Sequence, residues 1–140
     1  FLVQDYNLLY VADFDLDHFG PWYGNPSSNL DSYRRSIRRA AALKPDVLLV
    51  GHGRPINKNI DQKLAEYEAI FDKRDQIILD TLRQQPQNLD QLAEKNIIYP
   101  RHHGLDILIY FEKVMLQKHL ESLLKRDFVT KTEQGLFEVR

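Results

Sequence analysis

The sequence contains no cysteine. That excludes disulfides and thiolate metal sites, and leaves His and carboxylate as the side chains for any transition metal. No apolar stretch approaches the roughly 20 residues of a membrane helix. No signal-peptide pattern is visible either, so a cytoplasmic protein without membrane association is the expectation. There is no excess of one charge: 19 Lys and Arg stand against 20 Asp and Glu, a formal net charge of −1. The balance holds locally, with eight basic and eight acidic residues in 86–140. A nucleic-acid domain normally shows a basic surplus, because neutralising phosphates supplies most of its affinity. Nucleic acid is therefore not the expected partner. An initiating Met is also absent, and the chain enters directly into an apolar segment at Phe1. That reads as a piece of a longer protein.

What is present is ordinary for a soluble globular chain: 140 residues, 43% hydrophobic and 28% charged, enough for one domain or two small ones. "FLVQ" and "LLYVA" flank the turn-prone "DYN" and read as adjacent strands, the second a buried run over 8–12. "GPWYGNPSSN" is a loop. A helix is predicted from Ser27 or Ser28, with Ser28 and Asp31 as a capping-box variant. Its buried stripe is Leu30, Tyr33, Ile37 and Ala40, and "RRSIRR" (34–39) reads as a solvated flank. "KPDVLLVGHG" holds a second buried strand, 47–50, ending in Gly-His-Gly. Strand, crossover helix and strand make a βαβ-like unit of an α/β fold. A long helix follows from Ile60, with Ile60, Leu64, Tyr67, Ile70, Phe71, Ile77 and Ile78 inward. From Pro86 come a short helix on Leu89 and Leu92, then a longer one with Phe111, Leu116, Leu120, Leu123 and Leu124 inward. A hairpin turning at "EQG" closes the chain. That order is the order of a winged helix-turn-helix, and it sets domains at 1–58 and 59–140.

The chemistry concentrates in "ADFDLDHFG", where Asp13, Asp15 and Asp17 alternate and His18 follows. An EF-hand loop is excluded, since His18 and Gly24 occupy the positions that need Gly and Glu. A haloacid-dehalogenase phosphatase fits the local Asp13–Asp15 pair, but not Leu16 and Asp17 after it, nor the later Gly-His-Gly. A third reading pairs Asp13 with His52. Each ends a buried strand of a βαβ-like unit, which brings strand ends to one sheet edge. There a carboxylate and an imidazole can share a metal, and Gly51 and Gly53 let backbone approach it.

On "YVADFDL" and "VGHGRPI", in this order and spacing, the chain resembles the metallo-β-lactamase-fold hydrolases, which include glyoxalase II-like thioesterases and ribonuclease Z-like nucleases. "FDLDHFGPWYG" is similar to one microbial branch, and some branches append a winged-helix-like domain as residues 60–140 would. The resemblance implies the C-terminal half of an αββα sandwich followed by a small α+β domain. It implies that Asp13 bridges two divalent metal ions, Zn or alternatively Fe or Mn, and that His52 binds one of them. Asp15 would orient a ligand, and His18, Trp22 and Tyr23 would border the substrate mouth. The family's His-x-His-x-Asp-His motif is absent from the chain, so the chain alone is expected to be inactive and to need that other half as its partner. An ester, thioester or phosphodiester is the implied substrate, and a homo-oligomer is compatible. The competing reading is a non-enzymatic winged-helix module for a protein partner or nucleic acid. Other residues have plainer uses: Asp17 reads as a loop solvator, His119 as structural, and the adjacent His102 and His103 as a surface loop.

Overall fold

The computed structural model describes residues 1–100 and 105–140; the paired histidines 102 and 103 lie outside the described residues. The chain divides into two compact units, Phe1–Trp22 with Asp31–Phe71, and Tyr23–Leu30 with Asp72–Arg140.

In the first unit, strands β1 (Leu2–Val3) and β2 (Leu8–Tyr10) pair antiparallel. A single 3-10 turn over Gln4–Tyr6 joins them, and Asn7 closes it in the left-handed region, which Asn tolerates. Helix α1 (Leu30–Ala42) then crosses to β3 (Val47–Leu49), which lies parallel to β2 with Leu8, Leu9 and Tyr10 opposite Val47, Leu48 and Leu49. The sheet order is β1-β2-β3. Leu9 and Leu48 are buried from the sheet, Ile37 and Ala40 from α1, and Leu64, Tyr67 and Phe71 from helix α2 (Ile60–Gln84). The arginine cluster of α1 is not uniformly solvated. Arg34 is buried, with its guanidinium 4.8 Å over the Phe71 ring, because a planar cation can stack on an aromatic face where an ammonium would need water.

The second unit holds the rest of α2, then α3 (Leu89–Ala93) and α4 (Asp106–Lys125). An antiparallel pair follows, β4 (Val129–Lys131) and β5 (Phe137–Val139). Asn88 and Gln91 form a full capping box at α3. Gln87 exchanges both backbone hydrogen bonds with Phe137, at 3.1 and 2.8 Å, and so adds a one-residue third strand. Gly135, at φ +81°, makes the turn between β4 and β5. Ile78, Leu82, Leu92, Met115, Leu116, Leu120, Leu123, Val129 and Phe137 are buried here. Glu112 is buried too, and its carboxylate accepts from the backbone N–H of Ile98 and of Tyr99. The inward face of α2 departs from its apolar pattern: Ile77 is exposed, while Arg74 and Asp75 are buried. Phe111 and Leu124 are only half-buried. No described helix is long and apolar enough to cross a membrane.

Candidate functional site

The parallel pairing of β2 and β3 continues past both strands. Val11 N–H donates to the Leu49 carbonyl at 2.9 Å, and Gly51 N–H to the Ala12 carbonyl at 2.6 Å. Asp13 and His52 each come three residues after the end of their strand, Tyr10 of β2 and Leu49 of β3, at the carboxyl edge of the sheet. Gly51 is needed for this approach. A Cβ there would lie 3.0 Å from the Ala12 oxygen and 3.5 Å from Asp13 Oδ1, and a backbone atom cannot yield as a flexible side chain can.

The acidic loop leaves the strand under strain. Ala12 has φ +48° and Leu16 φ +53°; such conformations cost of order 1–3 kcal/mol each in side-chain-bearing residues and cluster at functional sites. Phe14 anchors the loop inward, its ring centroid 5.0 Å from that of Tyr33 and 6.2 Å from that of Tyr67. The hydroxyls of Tyr33 and Tyr67 approach the Asp13 carbonyl at 3.4 and 3.5 Å. Burial above all, with the nearby carboxylates adding to it, holds both phenols above their ordinary pKa, so they face that carbonyl as neutral donors.

Asp15 and His52 meet directly. The Asp15 carboxylate accepts from the His52 backbone N–H at 3.1 Å, and its other oxygen lies 3.1 Å from His52 Nδ1. A carboxylate only accepts, so Nδ1 carries the hydrogen and Nε2 of the neutral ring keeps its lone pair. That lone pair faces solvent, the side chain being 77% exposed. Asp13 is exposed as well. The remaining members of the loop serve it differently. Asp17 accepts from Gly20 N–H at 3.1 Å and so fastens its own turn. His18 is exposed, and Trp22 is 40% exposed. Tyr23 turns inward at 1% exposure, and its hydroxyl meets His119 and Arg74.

As donors for a metal, Asp13 and His52 are of the right chemistry, one carboxylate and one imidazole whose second nitrogen is already engaged by a carboxylate. They are two where a metal takes at least three protein ligands. Among the described residues no group of three or more His, Asp or Glu is placed to hold an ion. The donor set fits a metal as a share of a site, not as a whole one.

Reading the sequence singled out Asp13, Asp15 and His52, but not the residues beneath them. Phe14, Tyr33 and Tyr67 form the support of the loop, and the two tyrosines stood on apolar stripes where they read as core. The signal available was their hydroxyls, which need partners when buried.

No family model and no curated protein matches the chain. Solved structures do. A metallo-β-lactamase family protein from Thermus thermophilus superposes with a TM-score of 0.75 at 24% identity, over 100% of this chain and 44% of that one. A β-lactamase domain protein from Burkholderia ambifaria gives 0.74 at 19% identity, over 95% of this chain and 41% of that one. The fold is the metallo-β-lactamase fold. The chain spans less than half the length of either structure. With that fold, the haloacid-dehalogenase reading of the Asp13–Asp15 pair is left without support.

Proposed function

We propose that the chain supplies part of the metal centre of a metal-dependent hydrolase. Asp13 would bridge two divalent ions, Zn or alternatively Fe or Mn, and His52 would hold one of them through Nε2. The observation that carries the reading is the Asp15 carboxylate on both the ring Nδ1 and the backbone N–H of His52. It fixes the tautomer and the ring orientation that a metal-binding imidazole needs. The other ligands belong to a His-x-His-x-Asp-His half outside this chain, so the chain alone is inactive. When bound, such ions supply Lewis acidity and a water acidified to near neutrality. The chain's own residues hold and orient: Phe14, Tyr33 and Tyr67 fix the loop backbone, and Asp15 retains the Nδ1 hydrogen. His18 and Trp22 border the opening to an ester, thioester or phosphodiester substrate in a cytoplasmic protein.

Residues 59–140 serve as an appended winged-helix-like domain behind a hydrolase portion at 1–58. The order helix, one-residue strand, helix, helix, hairpin supports that assignment. Its balanced charge favours a protein-facing role over nucleic acid. Metal analysis of the full-length protein tests the hydrolase reading. Bound transition metal that falls sharply in Asp13→Ala and His52→Ala supports it. A full-length protein without metal, whose activity both variants leave intact, overturns it.

A further inference from the structure

The second unit carries a cavity that the proposed chemistry does not use. It has a volume of about 470 Å³ and lies among α3, α4 and the β4–β5 hairpin, within the roughly 300–1,000 Å³ that small-molecule sites take. Every residue lining it belongs to that unit. Its apolar wall is Leu89 from the start of α3, Leu120 and Leu124 from α4, and Phe137 from β5. Four residues apart, Leu120 and Leu124 share one face of their helix. Leu120 and Phe137 are buried, while Leu89 and Leu124 are half-buried. A concave wall of this kind gains by covering an apolar body of matching size.

Three charged side chains, Asp90, Glu121 and Lys131, complete the lining, and they are not equivalent. Asp90 is already neutralised, with Lys113 Nζ 2.7 Å from its Oδ1. Glu121 accepts a hydrogen bond from the uncharged Gln117 amide, at 2.9 Å on Oε1. The Lys131 ammonium stands 5.3 Å from the centroid of the Phe137 ring, whose face attracts a cation without cancelling its charge. Among the described residues, neither Glu121 nor Lys131 has an ion-pair partner, and both are exposed. The cavity thus joins an apolar wall to one uncancelled anion and one uncancelled cation. An apolar ligand with a single charge would answer one of them and meet its own sign at the other. A ligand carrying both charges answers both.

We propose that this cavity binds a free apolar amino acid. The side chain lies against Leu89, Leu120, Leu124 and Phe137, with the ammonium toward Glu121 and the carboxylate toward Lys131. The wall supplies attraction and the two charges supply selection, since an apolar surface alone takes any hydrophobic molecule of the right size. Every residue involved belongs to the second unit, so the proposal does not rest on the hydrolase reading.

Amide NMR titration of this chain with L-phenylalanine tests it, against three probes that each lack one part. Phenethylamine lacks the carboxylate, 3-phenylpropanoate lacks the ammonium, and glycine lacks the apolar body. Phenylalanine is expected to move the amides of Leu89, Leu120, Lys131 and Phe137, saturating with a Kd of about 1 mM, as suits so small a ligand. Each singly charged probe should bind about fivefold more weakly, the size of effect that a solvated ion pair gives. Glycine should move none of these amides. Glu121→Gln should reduce phenylalanine to the affinity of 3-phenylpropanoate, and Lys131→Gln to that of phenethylamine. Both positions are exposed, so the unfolding midpoints should stay at the wild-type value and show that each variant is folded. No shift at the cavity residues overturns the site. A singly charged probe that binds as tightly as phenylalanine overturns the amino-acid assignment, as does phenylalanine affinity that both variants leave unchanged. None of these readouts involves activity or metal, so failure here and failure of the hydrolase reading are told apart.

Discussion

Two Asp–His pairs in this chain share one geometry and differ in everything around it. In each, a carboxylate sits on Nδ1, at 3.1 Å for Asp15–His52 and 2.6 Å for Asp75–His119. The His52 side chain is 77% exposed and that of His119 is fully buried. His52 follows a strand between two glycines, so its Nε2 opens to solvent; His119 lies inside α4, and its Nε2 is taken up by Tyr23. The same dyad is therefore a ligand-ready imidazole in one setting and a joint in the other. A carboxylate on Nδ1 fixes a tautomer in both. Access to the second nitrogen decides what the tautomer is for.

The sharpest way to break the comparison is to remove each carboxylate. Asp75→Ala removes the carboxylate that His119 and Arg126 both bond in the second unit. The Arg126 side chain is 39% exposed and can be solvated again, so the cost falls on the buried His119 ring, about 1–3 kcal/mol for a buried donor that loses its acceptor. Denaturant unfolding of Asp75→Ala is expected to show a loss of about that size, ~1–3 kcal/mol. A loss under about 1 kcal/mol would mean that the buried pair behaves like a surface one.

Acid separates the two regions next. Burial by itself pushes the Asp75 carboxyl up, but the hydrogen bonds and charges of His119 and Arg126 outweigh it and hold the group below its ordinary 3.8. A carboxyl depressed on folding contributes stability above its unfolded pKa and loses it as pH falls through the folded value. The chain should thus lose stability on acidification from about pH 5 downward, continuing below the ordinary carboxyl range. In Asp75→Asn that part of the slope should disappear. Unfolding midpoints followed from pH 6 to about pH 2 check this; a slope identical in both proteins would assign the acid sensitivity to other carboxyls.

How far such features could be read beforehand depended on what periodicity counts. Apolar runs marked β2 and β3, and the stripe Leu30, Ile37, Ala40 marked α1, because burial there is carried by apolar side chains alone. The same counting put Ile77 inside and overlooked Arg74 and Asp75. A paired charge in a core looks, in sequence, like a charge on a surface. The start of α1 at Leu30 rather than Ser27 or Ser28 has a local cause. The Asn25 side chain accepts from the Ser27 N–H and hydroxyl, at 3.0 and 2.9 Å, and this turn competes with the helix for the same groups. At the sheet edge, Asp13 and His52 stood out because each ends an apolar run. Phe14, Tyr33 and Tyr67 did not, since contacts across 20 or 54 residues leave no trace in local spacing.

Two smaller effects sharpen the exposed side of the comparison. Gly20→Ala would set a Cβ 2.5 Å from the Ile70 side chain at a φ of +85°. Overpacking and left-handed strain together should destabilise by about 1–3 kcal/mol in thermal or denaturant unfolding. A neutral result would mean that the acidic loop is not held against α2 at this point.

The last test is Asp15→Asn, for which the smallest stability change is expected. Its pair with His52 is largely solvated, and exposed ion pairs contribute about 0–1 kcal/mol, so unfolding of this chain should barely move. In the full-length protein, the proposed metal affinity should nevertheless fall about 10- to 100-fold, the usual cost of losing the group that orients a ligating histidine. Calorimetric zinc titration measures that directly. A large stability loss would recast Asp15–His52 as a structural joint like its buried counterpart. Unchanged zinc affinity would separate Asp15 from the metal site while leaving the fold untouched. The two Asp–His pairs thus make opposite demands of one substitution: removing the buried carboxylate should cost stability, and removing the exposed one should cost affinity.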